Sequence, residues 1–371
     1  MHYFEFAEKD ATLYEASASL NSGLDEVLEI RKDVSDTGAT VDVSRILIKF
    51  DLSFISSSVS SGTITSPKYY LNLFDAKPTA LATSQSLQAY PVSQSWTMGD
   101  GRSYDNPITD EGCSWNYRFG SLNGQRWSAV SSSGGTWFTG SGYEASQSFG
   151  HKTRDMRMEV TDIVNKWLDT TIPNEGFIVK RSGSVGNTDS NTDEGSTTLL
   201  GNFSFFSSDT HTKYPPTLEV EWDDSSWNTG SLSALTSTEL EDMTIYMKGL
   251  RPEYNQKSKA KFRLVGKARF PAKTYSTTPA DLTVKYLPSG STTGDGTFYS
   301  ICDAETDDVI VPYGSGSKVS LDSTGNYFNL WLDGYQPERY YTLKYKVVSG
   351  SGTTDETQQY FDEGFTFKVT L

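Results

Sequence analysis

The sequence is poor in cysteine and in long apolar runs. Only Cys113 and Cys302 occur among 371 residues, and two distant cysteines do not make a disulfide framework. We therefore interpret both as ordinary small side chains. No apolar run approaches the roughly 20 residues that span a bilayer, and the first residues lack the basic and apolar regions of a signal peptide. We expect synthesis in a cytoplasm, no export signal and no membrane partner.

Positive charge is also scarce. The chain has 32 Lys and Arg against 47 Asp and Glu, a formal net charge of −15. Proteins that bind nucleic acid gain affinity when Lys and Arg displace phosphate counterions, and an acidic surface repels such a polymer. We expect no direct nucleic-acid partner.

Long stretches of helix-forming residues are almost absent, whereas aromatic residues make up 13% of the chain and Gly occurs 31 times. Aromatic and β-branched residues favour strands, and Gly and Ser favour the turns between them. The sequence therefore predicts an all-β fold. Apolar alternation predicts strands throughout both halves. In the first half they cover 27–30, 44–52, 68–74, 176–180, 199–206 and 217–222.

The second half predicts a separate domain. Residues 225–238 are polar and rich in Ser and Gly, which is typical of a linker. We therefore predict domains at 1–224 and 239–371. Seven short strands follow the linker, the number that an Ig-like sandwich has. They are predicted at 243–247, 260–268, 281–286, 298–302, 327–332, 341–348 and 365–370.

A segment rich in Trp, Gly and Ser, residues 94–150, lies inside the first domain. So long a stretch with little alternation either packs on itself or meets a partner. Because Trp and Tyr dominate interface hot spots, Trp127, Trp137 and Tyr143 are candidate contacts to another chain or a glycan. The alternative is that the tryptophans fold inward and attach the segment to the sandwich.

Two aromatic residues are predicted to stabilise the fold. Residues 161–168 place Val164 and Trp167 on one face at helical spacing, with Thr161 as a candidate cap. Tyr341 opens an alternating strand shortly after Pro337, the pattern of a tyrosine corner, in which the hydroxyl bonds back to nearby backbone.

Catalytic and metal-binding patterns are not recognisable. His2, His151 and His211 lie far apart in the sequence and outside metal-ligand spacings. Residues 189–195 (DSNTDEG) resemble a calcium loop, but the Gly is displaced and no Glu follows at the required distance, so we interpret them as a flexible loop. We expect no catalytic residue, no metal and no cofactor.

Several segments in order along residues 5–224 carry a resemblance to a known family. They are DATLY at 10–14, NSG at 21–23, SRILIKFDL at 44–52, Trp96, Ser114-Trp115, DIVNKW at 162–167 and PPTLEVEW at 215–222. This part resembles the DNRLRE family, which is also classed as a carbohydrate-binding module. The resemblance implies a large jelly-roll-type β-sandwich. The long Trp-rich segment departs from the family pattern and leaves the transfer of any sugar site open.

The end of the first domain and the second domain resemble virion structural proteins of marine T4-like phages. The segments that carry this resemblance are DTHTKYPPTLEVEWDD at 209–224, RPEY at 251–254, FPAKTYS at 270–276, DSTGNYF at 322–328 and GYQPERYY at 334–341. The expected protein is a non-enzymatic virion component in a neck, baseplate or head-decorating position. Its expected partners are other virion proteins in a symmetric oligomer. The alternative is a carbohydrate-binding module that attaches to a polysaccharide.

Overall fold

A computed structural model describes residues 1–34, 41–77, 84–120, 124–128, 134–150, 155–183, 192–270, 284–288, 295–350 and 356–371. Strands predominate in these residues and the helices are short, so the fold is all-β, as the sequence predicts. The chain forms two compact units. The larger unit comprises Glu5–Ser61 and Lys68–Glu219, and the smaller unit comprises Met1–Phe4, Gly62–Pro67 and Val220–Leu371.

The larger unit is built on one extensive sheet. Its strands run in the order β7-β6-β9-β4-β1-β11-β5-β8, with β3 beside β4, while β2 and β10 form a separate pair. The strands are β1 (His2–Tyr14), β2 (Val27–Ile30), β3 (Lys32–Val34), β4 (Val41–Phe50), β5 (Lys68–Leu73), β6 (Gln85–Pro91), β7 (Ala145–Phe149), β8 (Met156–Glu159), β9 (Phe177–Lys180), β10 (Phe203–Phe206) and β11 (Thr217–Glu221).

Strand β4 is central in this sheet and is covered on both faces. Its alternation predicts one apolar face, yet Ile46, Leu47 and Ile48 are all completely buried. Leu47 belongs to a core cluster with Trp96, Trp115 and other residues of the Trp-rich segment. The Trp-rich segment therefore packs against the second face of the sheet. Because both faces are covered, apolar residues occur at consecutive positions of β4.

Two short helices, α1 (Ser53–Ser60) and α2 (Thr161–Leu168), belong to the larger unit. Helix α2 has the predicted bounds, and Trp167 is buried on its inner face with its ring 4.6 Å from the ring of Phe177. The prediction that Thr161 caps this helix is wrong. The helix begins after Val160 without a side-chain cap, because the Thr161 hydroxyl accepts instead from the backbone N–H of Tyr69.

The smaller unit contains two sheets, with orders β12-β14-β18-β17 and β13-β20-β19-β15-β16. The first order corresponds to strands A-B-E-D of an Ig-type sandwich. In the second sheet, β20, β19 and β15 correspond to strands G, F and C, and β13 and β16 lie at the two edges. These orders support the Ig-like class, which stays a prediction, as does the jelly-roll class of the larger unit. The strands are β12 (Met243–Lys248), β13 (Glu253–Asn255), β14 (Lys259–Ala268), β15 (Gly296–Asp303), β16 (Val309–Val311), β17 (Ser320–Asp322), β18 (Gly325–Trp331), β19 (Arg339–Ser349) and β20 (Thr357–Thr370).

An aromatic-rich core lies between the described strands of the smaller unit. Phe262 and Phe328 from one sheet stack with ring centroids 5.3 Å apart, and Tyr299 from the other sheet stacks on Phe328 at 4.2 Å. Helix α3 (Ser237–Glu241) starts at a capping box in which Thr236 and Glu239 bond to each other's backbone N–H. A short 3-10 turn spans Ser315–Ser317.

The division into units differs in detail from the one expected at residue 224. Phe4 packs in the core of the smaller unit, 6.2 Å from the ring of Tyr335, and the backbone N–H of Trp222 donates to Met1. Residues 225–238, the expected linker, belong to the smaller unit. There the backbone N–H of Asn228 donates to Leu321, and Leu235 is buried.

Other elements lack a clear signal in the sequence. The described elements that were not predicted are strands β1, β3, β6, β7, β8, β13, β16 and β17 and helices α1 and α3. Of the strand expected at 281–286, residues 281–283 lie outside the described residues, and Tyr286 forms only an isolated bridge to Ala234.

Cys113 and Cys302 are free and buried, and burial raises the pKa of the Cys113 thiol to about 12. Both match the interpretation as ordinary small side chains.

Candidate contact and binding site

A buried asparagine organises the start of the Trp-rich segment. The Asn21 side-chain amide donates to the carbonyl oxygens of Met98 (2.6 Å) and Cys113 (2.8 Å). Its carbonyl oxygen accepts from the backbone N–H of Gly101 (2.8 Å) and Gly23 (3.3 Å). One side chain thereby satisfies four backbone groups that are not in regular strands, three of them in buried bonds.

Two glycines let the backbone approach this asparagine. A Cβ at Gly99 would lie 2.4 Å from Asn21 Oδ1, and one at Gly112 would lie 2.5 Å from the Cα of Gly99. Both have positive φ, +83° and +98°, a region that residues with a Cβ rarely adopt. The glycines of this segment therefore have a packing reason and are not simply signs of a flexible loop.

Three tryptophans of the segment point inward. Trp96, Trp115 and Trp127 are buried in one cluster with strands β1, β4 and β9. The indole N–H of Trp127 donates to the carbonyl of Ser114 at 2.9 Å, and only 2% of Trp127 is exposed. The contact interpretation is therefore wrong for Trp127. Its ring and its polar atom are both used inside the chain, as in the inward-folded alternative.

A buried ion cluster lies beneath the segment. Arg45, Lys180 and Glu194 are each 0% exposed. The Arg45 guanidinium binds both carboxylate oxygens of Glu194, at 3.1 and 2.8 Å, and Lys180 Nζ lies 3.2 Å from the same carboxylate. Arg45 also donates to the carbonyl of Gly134 at 2.8 Å, which connects the cluster to the Trp-rich segment.

The cluster carries two cations against one carboxylate. Burial lowers the pKa of Lys180 to about 8, although the Glu194 charge acts in the opposite direction. Lys180 Nζ also donates to the carbonyls of Arg181 and Gly183, both at 2.7 Å. These bonds partly replace the water that a buried ammonium loses.

Trp137 lies over these cations. Its ring centroid is 5.1 Å from Arg45 Cζ and 5.2 Å from Lys180 Nζ, distances at which a cation interacts with an aromatic face. The side chain is only partly buried. Trp137 thus combines an inner contact with the ion cluster and an outer surface that solvent reaches.

Tyr143 is the second candidate that stays partly exposed. Its ring stacks on Phe138 at 5.9 Å, and Lys166 Nζ of helix α2 lies 4.5 Å from its centroid. Of the three candidate contact residues, one is therefore buried and two keep partly exposed rings held by neighbouring side chains. A contact role for Trp137 and Tyr143 stays a prediction.

The residues that hold this site were not predicted from the sequence. Asn21 and Arg45 appeared only as parts of family-like motifs, and Arg45 also as part of a predicted strand. Glu194 lies in residues 189–195, which were interpreted as a flexible loop. Its complete burial corrects that interpretation for this residue. Residues 184–191 lie outside the described part of the chain. The available signal was Arg45 itself, a charge inside an apolar strand, which requires a buried partner.

Tyr341 in the smaller unit has its predicted role. It is buried at the start of β19, and its hydroxyl donates to the carbonyl of Gln336 at 3.0 Å. This bond is the tyrosine corner that the sequence predicts.

The outer face of the five-stranded sheet carries exposed aromatic side chains. Tyr360 of β20 is 62% exposed and Tyr340 of β19 is 52% exposed. The rings of Tyr313 and Tyr360 meet edge to face with their centroids 5.9 Å apart. Lys346 Nζ lies 5.6 Å from the centroid of the Tyr360 ring. We call Tyr313, Tyr340, Lys346 and Tyr360 the outer tyrosine face. None of these four residues was predicted from the sequence as a contact residue.

Comparisons with known proteins give no relative. No protein-family model matches the sequence, no curated protein is significantly similar to it, and no solved structure matches the fold. Within the described ranges, no helix is both long and apolar enough to cross a bilayer.

Proposed function

We propose that the chain is a non-enzymatic structural component of a tailed-bacteriophage virion that acts through protein–protein contacts. The segment resemblance to virion proteins, the net charge of −15 and the all-β architecture support this role. The expected partners are other virion proteins in a symmetric oligomer, at the neck, the baseplate or the head surface.

The outer tyrosine face is the observation that carries the proposal. Tyrosine offers a large, rigid contact area with a polar hydroxyl, and it is enriched in the residues that dominate interface energy. Tyr360 sits opposite Lys346 in the β19–β20 register. An aromatic ring beside an ammonium group on a regular sheet suits a partner surface that has apolar and acidic groups.

A carbohydrate-binding module is the second candidate, and the partly exposed rings of Trp137 and Tyr143 favour it. Two features weigh against it. Trp127 is buried and cannot stack on a sugar. Trp137 and Tyr143 already contact cations, and a cation on an aromatic ring withdraws the electron density that attracts sugar C–H groups.

The direct test is the localisation of the chain in purified particles by mass spectrometry and cryo-electron microscopy. We expect density for both β units at a symmetric position, with the outer tyrosine face against a neighbouring chain. Absence of the protein from purified particles would contradict the virion role.

A variant pair tests the surface itself. Tyr360→Ala should reduce incorporation into particles, whereas Tyr246→Ala, which removes another exposed tyrosine from β12 in the other sheet, should not. For the alternative, Trp137→Ala should reduce retention on an immobilised polysaccharide if the chain binds one. Retention on the polysaccharide together with absence from particles would favour the carbohydrate-binding function.

A further inference from the structure

The outer face of the four-stranded sheet in the smaller unit is basic. Alternate residues of a strand lie on one face of a sheet, and the apolar residues that alternate with the basic side chains of β14 belong to the buried core. Lys248 of β12 is the register partner of Arg263 in β14 and therefore lies on the same outer face. We call the following residues the basic face: Lys248, Lys259, Lys261, Arg263 and Lys267.

Two of these cations lie directly opposite each other. Lys248 and Arg263 are partners in the antiparallel β12–β14 pair, and the Cβ atoms of such partners are about 4.5–5.5 Å apart. Like charges at directly opposed positions destabilise a sheet. The free chain therefore keeps a charge arrangement that is unfavourable by itself and that a negatively charged partner would relieve.

The carboxylates of the chain leave part of this charge unbalanced. Asp322 of β17 contacts Lys261 at 2.8 Å and Arg263 at 2.7 Å. Lys248, Lys259 and Lys267 form no ion pair with a described residue. Because the whole chain has a net charge of −15, the basic face differs in sign from the rest of the molecule.

Aromatic rings of the neighbouring strand β18 position two of the cations. Lys259 Nζ lies 4.6 Å from the centroid of the Trp331 ring, and Lys261 Nζ lies 3.6 Å from the centroid of the Tyr327 ring. At these distances the ring face attracts the ammonium group. The two lysine side chains therefore lose less conformational freedom when they bind a partner.

We propose that the basic face binds an extended acidic segment of a partner protein. Side chains at alternate positions of a strand are about 6.6 Å apart, and an extended segment places its own alternate side chains at the same spacing. A segment with Asp or Glu at every second position can therefore meet Lys259, Lys261 and Lys267 along β14. This inference does not rest on the proposed function, because it is tested by binding in solution and not by incorporation into particles.

A nucleic acid suits the basic face less well. Proteins that bind single strands stack bases on aromatic rings, whereas the rings of Trp331 and Tyr327 already contact cations. A polymer with a charge on every phosphate is also repelled by the net charge of −15. A short segment with a few carboxylates experiences less of this repulsion.

The experiment measures the binding of a fluorescently labelled peptide to the full chain by fluorescence anisotropy. The peptide has about nine residues, the length that runs from Lys259 to Lys267 in an extended chain, with Glu and Thr in alternation. We expect binding that weakens as the NaCl concentration rises, because salt screens exposed charges. The double variant Lys259→Glu, Lys267→Glu should weaken binding by about tenfold or more, because it places like charges against the peptide.

Two variants and two other probes separate a binding role from a structural one. Lys248→Gln should weaken peptide binding without lowering the unfolding temperature, because it removes one of two opposed cations. Lys346→Glu makes the charge change on the other sheet and should bind the peptide as the wild type does. A peptide with Gln in place of Glu should not bind.

The proposal is overturned if the wild type does not bind the Glu peptide at low salt, or if the double variant binds it equally well. Tighter binding of an oligothymidylate of the same length than of the peptide would assign the basic face to nucleic acid and overturn the proposal as well.

Discussion

The guanidinium of Arg45 and the carboxylate of Glu194 form a two-point ion pair although 149 positions separate them in the sequence. Both side chains are completely excluded from solvent. Glu194 also faces Lys180 at 3.2 Å, so the same carboxylate contacts two buried cations. The stability of this part of the larger unit therefore depends more on Glu194 than on either cation alone.

Glu194→Gln should destabilise the larger unit by about 3–5 kcal/mol, because it removes the carboxylate that contacts both buried cations. Lys180→Met is the matched comparison. It leaves the Arg45–Glu194 ion pair, whose charges cancel, intact. We expect it to lower the free energy of unfolding by less than half as much. Urea unfolding measures both free energies, and equal losses would show that the charge balance does not control stability here.

The low pKa of Lys180 predicts a pH dependence. The folded chain releases the Lys180 proton at a pKa of about 8, whereas an unfolded lysine keeps it up to its ordinary value of 10.5. Between these values unfolding takes up a proton, so stability should rise with pH by at most roughly 1.4 kcal/mol per unit. Below pH 8 the group contributes no slope.

The measurement is the unfolding free energy of the larger unit from pH 7.5 to 10.5 for the wild type and Lys180→Met. The variant should lack the rise attributed to Lys180. Lys267→Met, which removes an exposed lysine from the smaller unit, should retain it. Identical pH profiles for the wild type and Lys180→Met would contradict the assignment.

Asn21→Ala should release the start of the Trp-rich segment. Each backbone group that loses its partner in a buried place costs about 1–3 kcal/mol, and Asn21 serves Met98, Gly101, Cys113 and Gly23. Hydrogen exchange should become faster at the Gly101 amide. Asn165→Ala, on the exposed side of α2, is the control. Unchanged exchange at Gly101 would mean that the tryptophans alone hold the segment.

Apolar periodicity in the sequence predicts the bounds of short segments whose pattern is strong. Helix α2 and strand β2 have the expected bounds, since both are short, strongly patterned segments. Strand β1 was missed because buried polar residues, such as Asp10 and Thr12, interrupt its apolar pattern. Their side chains accept from the backbone N–H groups of Ser208 and Glu29, which come from other segments, and no window of sequence reveals these partners.

The candidate site was less predictable than the fold. Trp127, Trp137 and Tyr143 have similar sequence surroundings but different exposures. The difference arises from long-range contacts, the Arg45 and Lys180 cations beneath Trp137 and Lys166 beside Tyr143. Composition indicates that aromatic residues are available for contacts, but tertiary packing decides which of them reach the surface.

Trp167→Ala should cost about 3–5 kcal/mol, because it removes a buried ring from the interface between α2 and the main sheet. Trp167→Phe keeps the aromatic contact with Phe177 and should lose much less. Denaturant unfolding followed by circular dichroism measures both variants. A loss below about 1 kcal/mol for the alanine variant would mean that α2 contributes little to the larger unit.

Tyr341→Phe tests the tyrosine corner of the smaller unit. The change deletes only the hydroxyl that donates to Gln336 and leaves the buried ring in place, so we expect a loss of about 0.5–1.5 kcal/mol. Tyr340→Phe is a matched control on the adjacent residue, whose side chain is exposed, and it should leave stability unchanged. Thermal unfolding of the two variants separates the hydrogen bond from any general effect of removing a tyrosine hydroxyl at the start of β19. If both variants unfold at the wild-type temperature, the corner hydrogen bond does not stabilise the strand, and packing of the Tyr341 ring alone holds the start of β19 in place.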